Sequence, residues 1–244
     1  MPVTTKKKLL LALPALMLGY LAIVACWAWA SFDPAMAGAG VPPAGQLSPR
    51  QTAILTLVED PNFFEHRGVS LAKGQGLATI SSAVARDVYL YGARFSGTAG
   101  ALQALYRGVF DCCKKIDLGR DLMAVVLDAR LSKHEQLALY VSQVYMGTHE
   151  GRQIRGLPQA AESYLGKPLD STTIDEFIGL VAMIKAPNAF HPLKHRAAYD
   201  TRVARVRALV AGTCRPGGWF DTQLEHCSPG PASAASRVPS PTHE

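Results

Sequence analysis

The sequence predicts an all-α domain running from about residue 47 to 211, preceded by one membrane-spanning helix. Three observations predict it. Residues 9–30, LLLALPALMLGYLAIVACWAWA, hold 20 apolar residues out of 22. Apolar residues then recur at helical spacing through most of the chain, bracketed by capping signals. No run alternates with period two for long enough to suggest a sheet. Of 244 residues, 48% are apolar and 18% charged, which excludes a disordered or coiled-coil protein.

As a helix, the first apolar run spans about 33 Å, the thickness of a bilayer core. Lys6, Lys7 and Lys8 precede it and keep the amino terminus in the cytoplasm, while Trp27 and Trp29 suit the outer interface. Two alternatives stay open. Ala28-Trp29-Ala30 could be a signal-peptidase site, and Ile23-Val24-Ala25-Cys26 looks like a lipobox that would make Cys26 a lipid anchor. All three routes export residues 31–244. Net charge is +6, but only +3 remains beyond the three amino-terminal lysines. That is too weak to argue for nucleic acid, yet compatible with an anionic lipid or pyrophosphate.

The resulting map has a basic cytoplasmic tail (1–8), a signal-anchor (9–30), a Gly/Pro/Ala linker (31–46), the domain (47–211) and a mostly disordered extension (212–244). Ser48 before Pro49 is an N-cap followed by proline at the first helical position. Ser132 and Glu135 form a capping box opening KHEQLALYVSQVYMG, with Leu137, Tyr140, Val141 and Val144 on one face. Further helices are expected near 78–90, 99–110, 118–130, 157–165, 173–185 and 198–211, the last stopped by Gly212. Cys214 and Cys227 could close a small disulfide loop in an oxidising compartment. Cys112 and Cys113 are vicinal, and such neighbours rarely bond each other. With no CxxC pair and no HExxH, no zinc site is expected, and no metal ligand is assigned.

The densest cluster of chemically useful residues is V-E-D-P-N-F-F-E-H-R-G, residues 58–68. Glu59 and Asp60 sit where an apolar helix runs into Pro61. A carboxylate at a helix C-terminus is disfavoured by the dipole, and burial raises its pKa further. That is how a general base for a sugar hydroxyl is prepared. The plainer alternative is a solvated helix end, with His66 or Arg67 pairing in an ordinary loop.

The cluster resembles the E-D-x-x-F-x-x-H-x-G signature of glycosyltransferase family 51, at Glu59, Asp60, Phe63, His66 and Gly68. That family comprises monofunctional peptidoglycan transglycosylases and the polymerising domains of class A penicillin-binding proteins. Four more segments follow in the family's order. G-L-A-T-I-S-S-A-V-A-R-D from Gly76 is similar to G-x-S-T-I-T-Q-Q-x-x-K-N, and the stretch Leu131 to Gly147 to the L-S-K helix. Gly156 to Lys167 resembles G-x-x-x-A-A-x-x-Y-F-G-K, and Ile184 to Pro192 the closing K-A-P-x-x-Y-x-P.

The resemblance implies a lysozyme-like, mainly helical fold with a membrane-facing jaw, for which residues 89–110 have the composition. It implies a domain in the periplasm, tethered to the bacterial inner membrane by a single pass. Lipid II would be polymerised into glycan strands with release of undecaprenyl pyrophosphate. Glu59 matches the family's base. Asp60, Phe63, His66, Gly68, Gly76, Thr79, Arg86 and Lys133 match positions expected at the substrate. A divalent cation, Mg or Mn, near the pyrophosphate is a family expectation, as are partners among the cell-wall synthesis proteins.

The departures concern the third segment. Counted back from Leu131, the family's R-K-x-x-E falls on residues 116–120, so Arg120 takes the place of the second glutamate. Asp117, Asp121 and Lys114-Lys115 lie close by, and Asp121 is the chosen substitute. Ala78, Ser82, Ala83, Ala138 and Ser142 replace hydrogen-bonding family residues. The leading expectation is an active, divergent glycosyltransferase. The alternatives are a catalytically weak homologue that binds lipid II or cell-wall proteins, and a lysozyme-like hydrolase using Glu59 as acid. The stretch 212–244 has no room for a transpeptidase, so a bifunctional penicillin-binding protein is not expected.

Overall fold

The computed structural model of the protein describes residues 3–40, 42, 47–110 and 117–228; for 3–11 and 110 it describes the backbone alone. Cys112, Cys113, Lys114 and Lys115 therefore lie outside the described residues, as does the tail beyond 228.

Helix α1 (Val3–Ala30) contains the stretch Ala12–Ala30, long and apolar enough to cross a membrane. Its carboxy-terminal end joins the domain: Trp27 Nε1 donates to the Ala99 carbonyl at 3.1 Å, and its ring packs on Tyr89 and Phe95. The stretch expected as a linker contains a helix, α2 (Phe32–Ala39). Composition hid it. Phe32 and Ala35 are buried, the Arg130 guanidinium lies 4.2 Å from the Phe32 ring centre, and the same guanidinium pairs with Asp33 at 2.9 Å. These partners lie about a hundred residues away, so local propensity could not report them.

Helix α3 (Pro49–Glu59) starts where the cap predicts, with Ser48 and Gln51 bonded reciprocally. Helix α4 (Ile80–Arg86) is capped by Thr79 and continues as a π-helical turn, Asp87–Gly92. Helix α5 (Gly97–Phe110) follows, and Gln103 on it donates to the carbonyls of Tyr89 and Ala93 at 2.7 and 2.8 Å. That side chain absorbs carbonyls the irregular turn leaves over. Leu105 and Val109 on α5 stay exposed, and Leu102 and Leu105 share an apolar groove with Leu16, Tyr20 and Ile23 of α1.

Helix α6 (Leu118–Asp128), capped by Asp117, packs along α1 and α4. Helix α7 (Lys133–Gln143) opens on the expected Ser132–Glu135 box but ends before Val144, not at Gly147. The rest of that segment is strand β1 (Tyr145–His149), paired antiparallel with β2 (Arg152–Arg155) in the register Thr148↔Gln153. Glu150 and Gly151 both take positive φ, which turns the hairpin in two residues. The sheet is too short for period-two alternation to show in sequence.

Helices α8 (Leu157–Leu165), α9 (Ile174–Ile184) and α10 (Arg196–Val210) complete a helical domain around one core, with Phe63, Leu139 and Phe177 at its centre. Gly212 ends α10 at φ 71° as expected. The extension is not all without structure. Cys214 and Cys227 form a disulfide, and the loop they close docks on the domain.

Candidate functional site

The last residue of α3, Glu59, meets side chains from three distant elements. Tyr140 of α7 donates its hydroxyl to Glu59 Oε2 at 3.4 Å. Lys185, at the end of α9, and Arg202, on α10, are the cations whose fields act on its carboxylate. Burial raises the Glu59 pKa above the ordinary carboxylate range; Lys185, Arg202 and the tyrosine hydroxyl pull it partly back, and Asp60 adds to the rise. The same loss of water lowers Lys185, although Glu59 opposes that shift. Arg202 is only 1% exposed, and its Nε and Nη1 find no hydrogen-bond partner among the described residues. A second carboxylate stands nearby: Asp87, also raised by burial, is felt by Tyr140 and faces Arg86 and Arg155. The two carboxylates are poorly hydrated, and each has its own pair of cations: Lys185 and Arg202 for Glu59, Arg86 and Arg155 for Asp87. Glu59 can accept a proton, and the arginines beside Asp87 can neutralise an anion.

Beneath Glu59, the neighbouring motif residues build a scaffold. Asp60 is fully buried; its Oδ2 accepts the Ile80 amide and bonds His66 Nε2, both at 2.9 Å. This ties the end of α3 to the start of α4. Thr79 Oγ1 donates to the Gly68 carbonyl at 2.7 Å and accepts from the Ser82 amide, so it also caps α4. Gly68 adopts φ 91°, and a Cβ there would come within 2.7 Å of the Ala124 backbone on α6. Phe63 is buried, with Lys133 Nζ 4.8 Å from its ring centre.

The sequence expected these residues at the substrate. In the structure Asp60, Phe63 and Thr79 are buried, each with a partner on another element. Gly76 lies under a different cover: its amide donates to the Trp219 carbonyl at 3.0 Å. Lys133 pairs with Asp128 at 2.6 Å. Arg86 keeps about half its side chain in solvent and is the expected cation most open to a ligand.

The model of the transglycosylase family matches residues 38–211, spanning α3 to α10 and every residue of the Glu59 cluster. The chain belongs to the transglycosylase family. Its relatives include penicillin-binding protein 1B of Escherichia coli strain K12, 31% identical over 159 residues, or 64% of this chain and 18% of that protein. Penicillin-binding protein 1A of the same strain is 29% identical over 180 residues, 68% of this chain and 18% of that one. Penicillin-binding protein 1F of Bacillus subtilis strain 168 is 31% identical over 141 residues, 57% and 18%. The chain thus spans less than a fifth of the length of these relatives. The family match stops at 211, before the disulfide-closed loop.

Within this transglycosylase domain, Asp121 is not among the groups that act on Glu59. It sits in the first turn of α6, bonded to Arg120 at 2.9 and 3.2 Å, its pKa raised by burial and lowered by that arginine. Asp117 is engaged as the cap of α6 and accepts from Tyr106. Sequence reasoning passed over Lys185, Tyr140, Asp87 and Arg202. The first three stand inside family-like segments, which was their signal. Arg202 had none, since one more arginine in R-V-A-R-V-R reads as a solvated face. Among the described residues no three His, Cys, Asp or Glu side chains converge, so they form no cage of their own for a divalent cation.

Proposed function

We propose that the protein is a peptidoglycan glycosyltransferase that polymerises lipid II at the outer face of the bacterial inner membrane. Glu59 takes the proton from the acceptor sugar hydroxyl, and that oxygen attacks the anomeric carbon of the donor. Undecaprenyl pyrophosphate leaves. The observation that carries the reading is the placement of Glu59: a carboxylate made more basic by burial, bonded by Tyr140 and lying within the field of Lys185 and Arg202. Tyr140 orients it through the hydroxyl. Arg86 and Arg155, flanking Asp87, supply exposed positive charge for the pyrophosphate.

Asp121 of α6 is proposed as the carboxylate that substitutes for the family's second glutamate, acting on the substrate and not on Glu59. The Arg120–Asp121 pair favours a second reading, a homologue that binds lipid II or cell-wall synthesis proteins without polymerising them, since its carboxylate is already neutralised. For the map, we propose a cytoplasmic tail at 1–8, a membrane anchor at 9–30 and a periplasmic domain beyond it. Support comes from the apolar span Ala12–Ala30 and from apolar side chains exposed beside it on α5.

Polymerisation of labelled lipid II by the membrane-inserted protein tests the proposal. Glycan ladders from the wild type that vanish in Glu59→Gln are expected. Lipid II binding without ladders in the wild type would overturn the enzyme in favour of the binding homologue.

A further inference from the structure

The loop closed by Cys214 and Cys227 lies beyond the family match and is firmly built. Asp221 organises it from within, accepting the amides of Gly217 and Glu225 at 2.9 and 2.7 Å and bonding His226. Leu224 and Cys227 are each 2% exposed and anchor it in the core. Its residues 218 and 219 then clasp the loop before α4. The amides of Gly74 and Gly76 donate to the carbonyls of Gly218 and Trp219 at 2.9 and 3.0 Å. Both glycines take positive φ, and a Cβ on either would press on Pro216 or Thr222, so the fit admits no side chain. Between them, the Gln75 carbonyl accepts Lys185 Nζ at 3.2 Å. The clasp is therefore bonded to the lysine that faces Glu59.

This rigid frame holds two large rings in solvent. Trp219 is 53% and Phe220 72% exposed, although they are neighbours on a tight, cross-linked turn. Two adjacent aromatic side chains held in solvent offer apolar area that a ligand can bury. Aromatic faces bind the C–H face of a pyranose ring by burying its apolar surface while the hydroxyls stay wet. Lys73 and Arg215 are exposed beside the clasp and suit the carboxylates carried by a peptide-substituted glycan.

We propose that Trp219 and Phe220 form a carbohydrate-binding lip on the disulfide-closed loop, taking the pyranose rings of a glycan strand that runs toward Glu59. The inference rests on reading the Glu59 cluster as a glycosyltransferase centre and adds a subsite outside the family match. A strand held on the lip is fixed relative to Lys185 through Gln75 and Gly76, so the lip registers polymer against the reacting centre.

The test uses the full chain in lipid nanodiscs, with an N-acetylglucosamine oligosaccharide as the probe and calorimetry as the readout. The wild type is expected to bind, and Trp219→Ala/Phe220→Ala to bind at least about ten-fold more weakly. Both side chains are exposed, so the variant is expected to keep the wild-type melting temperature. Equal binding by the two proteins, or none by the wild type, overturns the lip. Brominated lipids supply a second arm, the emission difference between wild type and Trp219→Phe isolating Trp219. Quenching of that emission would place the ring in the membrane and overturn the proposal; its absence supports a solvent-facing lip. Oligosaccharide binding that persists in a protein unable to polymerise lipid II would remove the enzymatic reading and leave the lip standing.

Discussion

Glu59 and Asp121 are both partly buried acids with raised pKa values, yet their surroundings differ in origin. Asp121 sits in the first turn of α6, where the helix dipole favours an anion, and its counter-ion is the preceding residue, Arg120. Glu59 ends α3, where the dipole disfavours charge, and its counter-ions arrive from α9 and α10. One carboxylate is neutralised by its own sequence neighbourhood. The other is held by long-range packing in a partly desolvated state. Burial by the fold makes both carboxylates more basic, but only Glu59 relies on distant elements for its counter-charge.

Breaking the Glu59 side has the largest expected effect: Glu59→Gln lowers lipid II polymerisation at least about 100-fold, against about ten-fold for Asp121→Asn. Equal losses in the labelled-glycan assay would show that the two carboxylates work as a pair. The joint between the two regions is Gly68, whose backbone meets Ala124 of α6. Gly68→Ala is expected to cost about 3 kcal/mol in denaturant unfolding, through positive φ and the contact together. An unchanged midpoint would mean that α6 yields. Asp60→Asn is expected to cost about 1–3 kcal/mol, since it weakens a buried tie to His66 and the Ile80 amide.

Titration sharpens the comparison further. The base must be ionised, so activity falls as pH drops through the raised Glu59 pKa, giving an acid limb above ordinary carboxylate values. Lys185→Met removes a cation that holds this pKa down, so the limb moves to higher pH. A limb that stays put would remove Lys185 from the Glu59 environment. The smallest effect concerns stability. A carboxyl whose pKa is raised on folding favours the folded state below its unfolded pKa and loses that contribution as pH rises through the folded value. Glu59→Gln, fixed in the neutral form, is therefore expected to melt a few degrees higher than wild type at neutral pH, the gap closing in acid.

Much of the fold was legible because it is written locally. The Ser48 and Ser132 caps, the stop at Gly212 and the apolar span before Ala30 all act within a few residues of where they appear. Helix α2 and the β1–β2 hairpin were not legible. The first depends on Arg130 covering Phe32, the second on two positive-φ residues joining strands too short to alternate. Of the site, Glu59 was readable from its place at a helix end before a proline, and the Cys214–Cys227 pair from its spacing.

The sequence by itself determined the family-like order of segments, the apolar amino-terminal span and the identity of a carboxylate poised at the end of α3. Tertiary structure alone decided which neighbours give that carboxylate its character. Asp60, Phe63 and Thr79 turned inward as scaffold, while Lys185, Tyr140 and the buried Arg202 turned toward Glu59. The physical reason is that spacing along the chain fixes helices and caps, whose partners lie within about four residues. A pKa depends instead on every charge and every water excluded within several ångströms, and those are set by elements far apart in the chain.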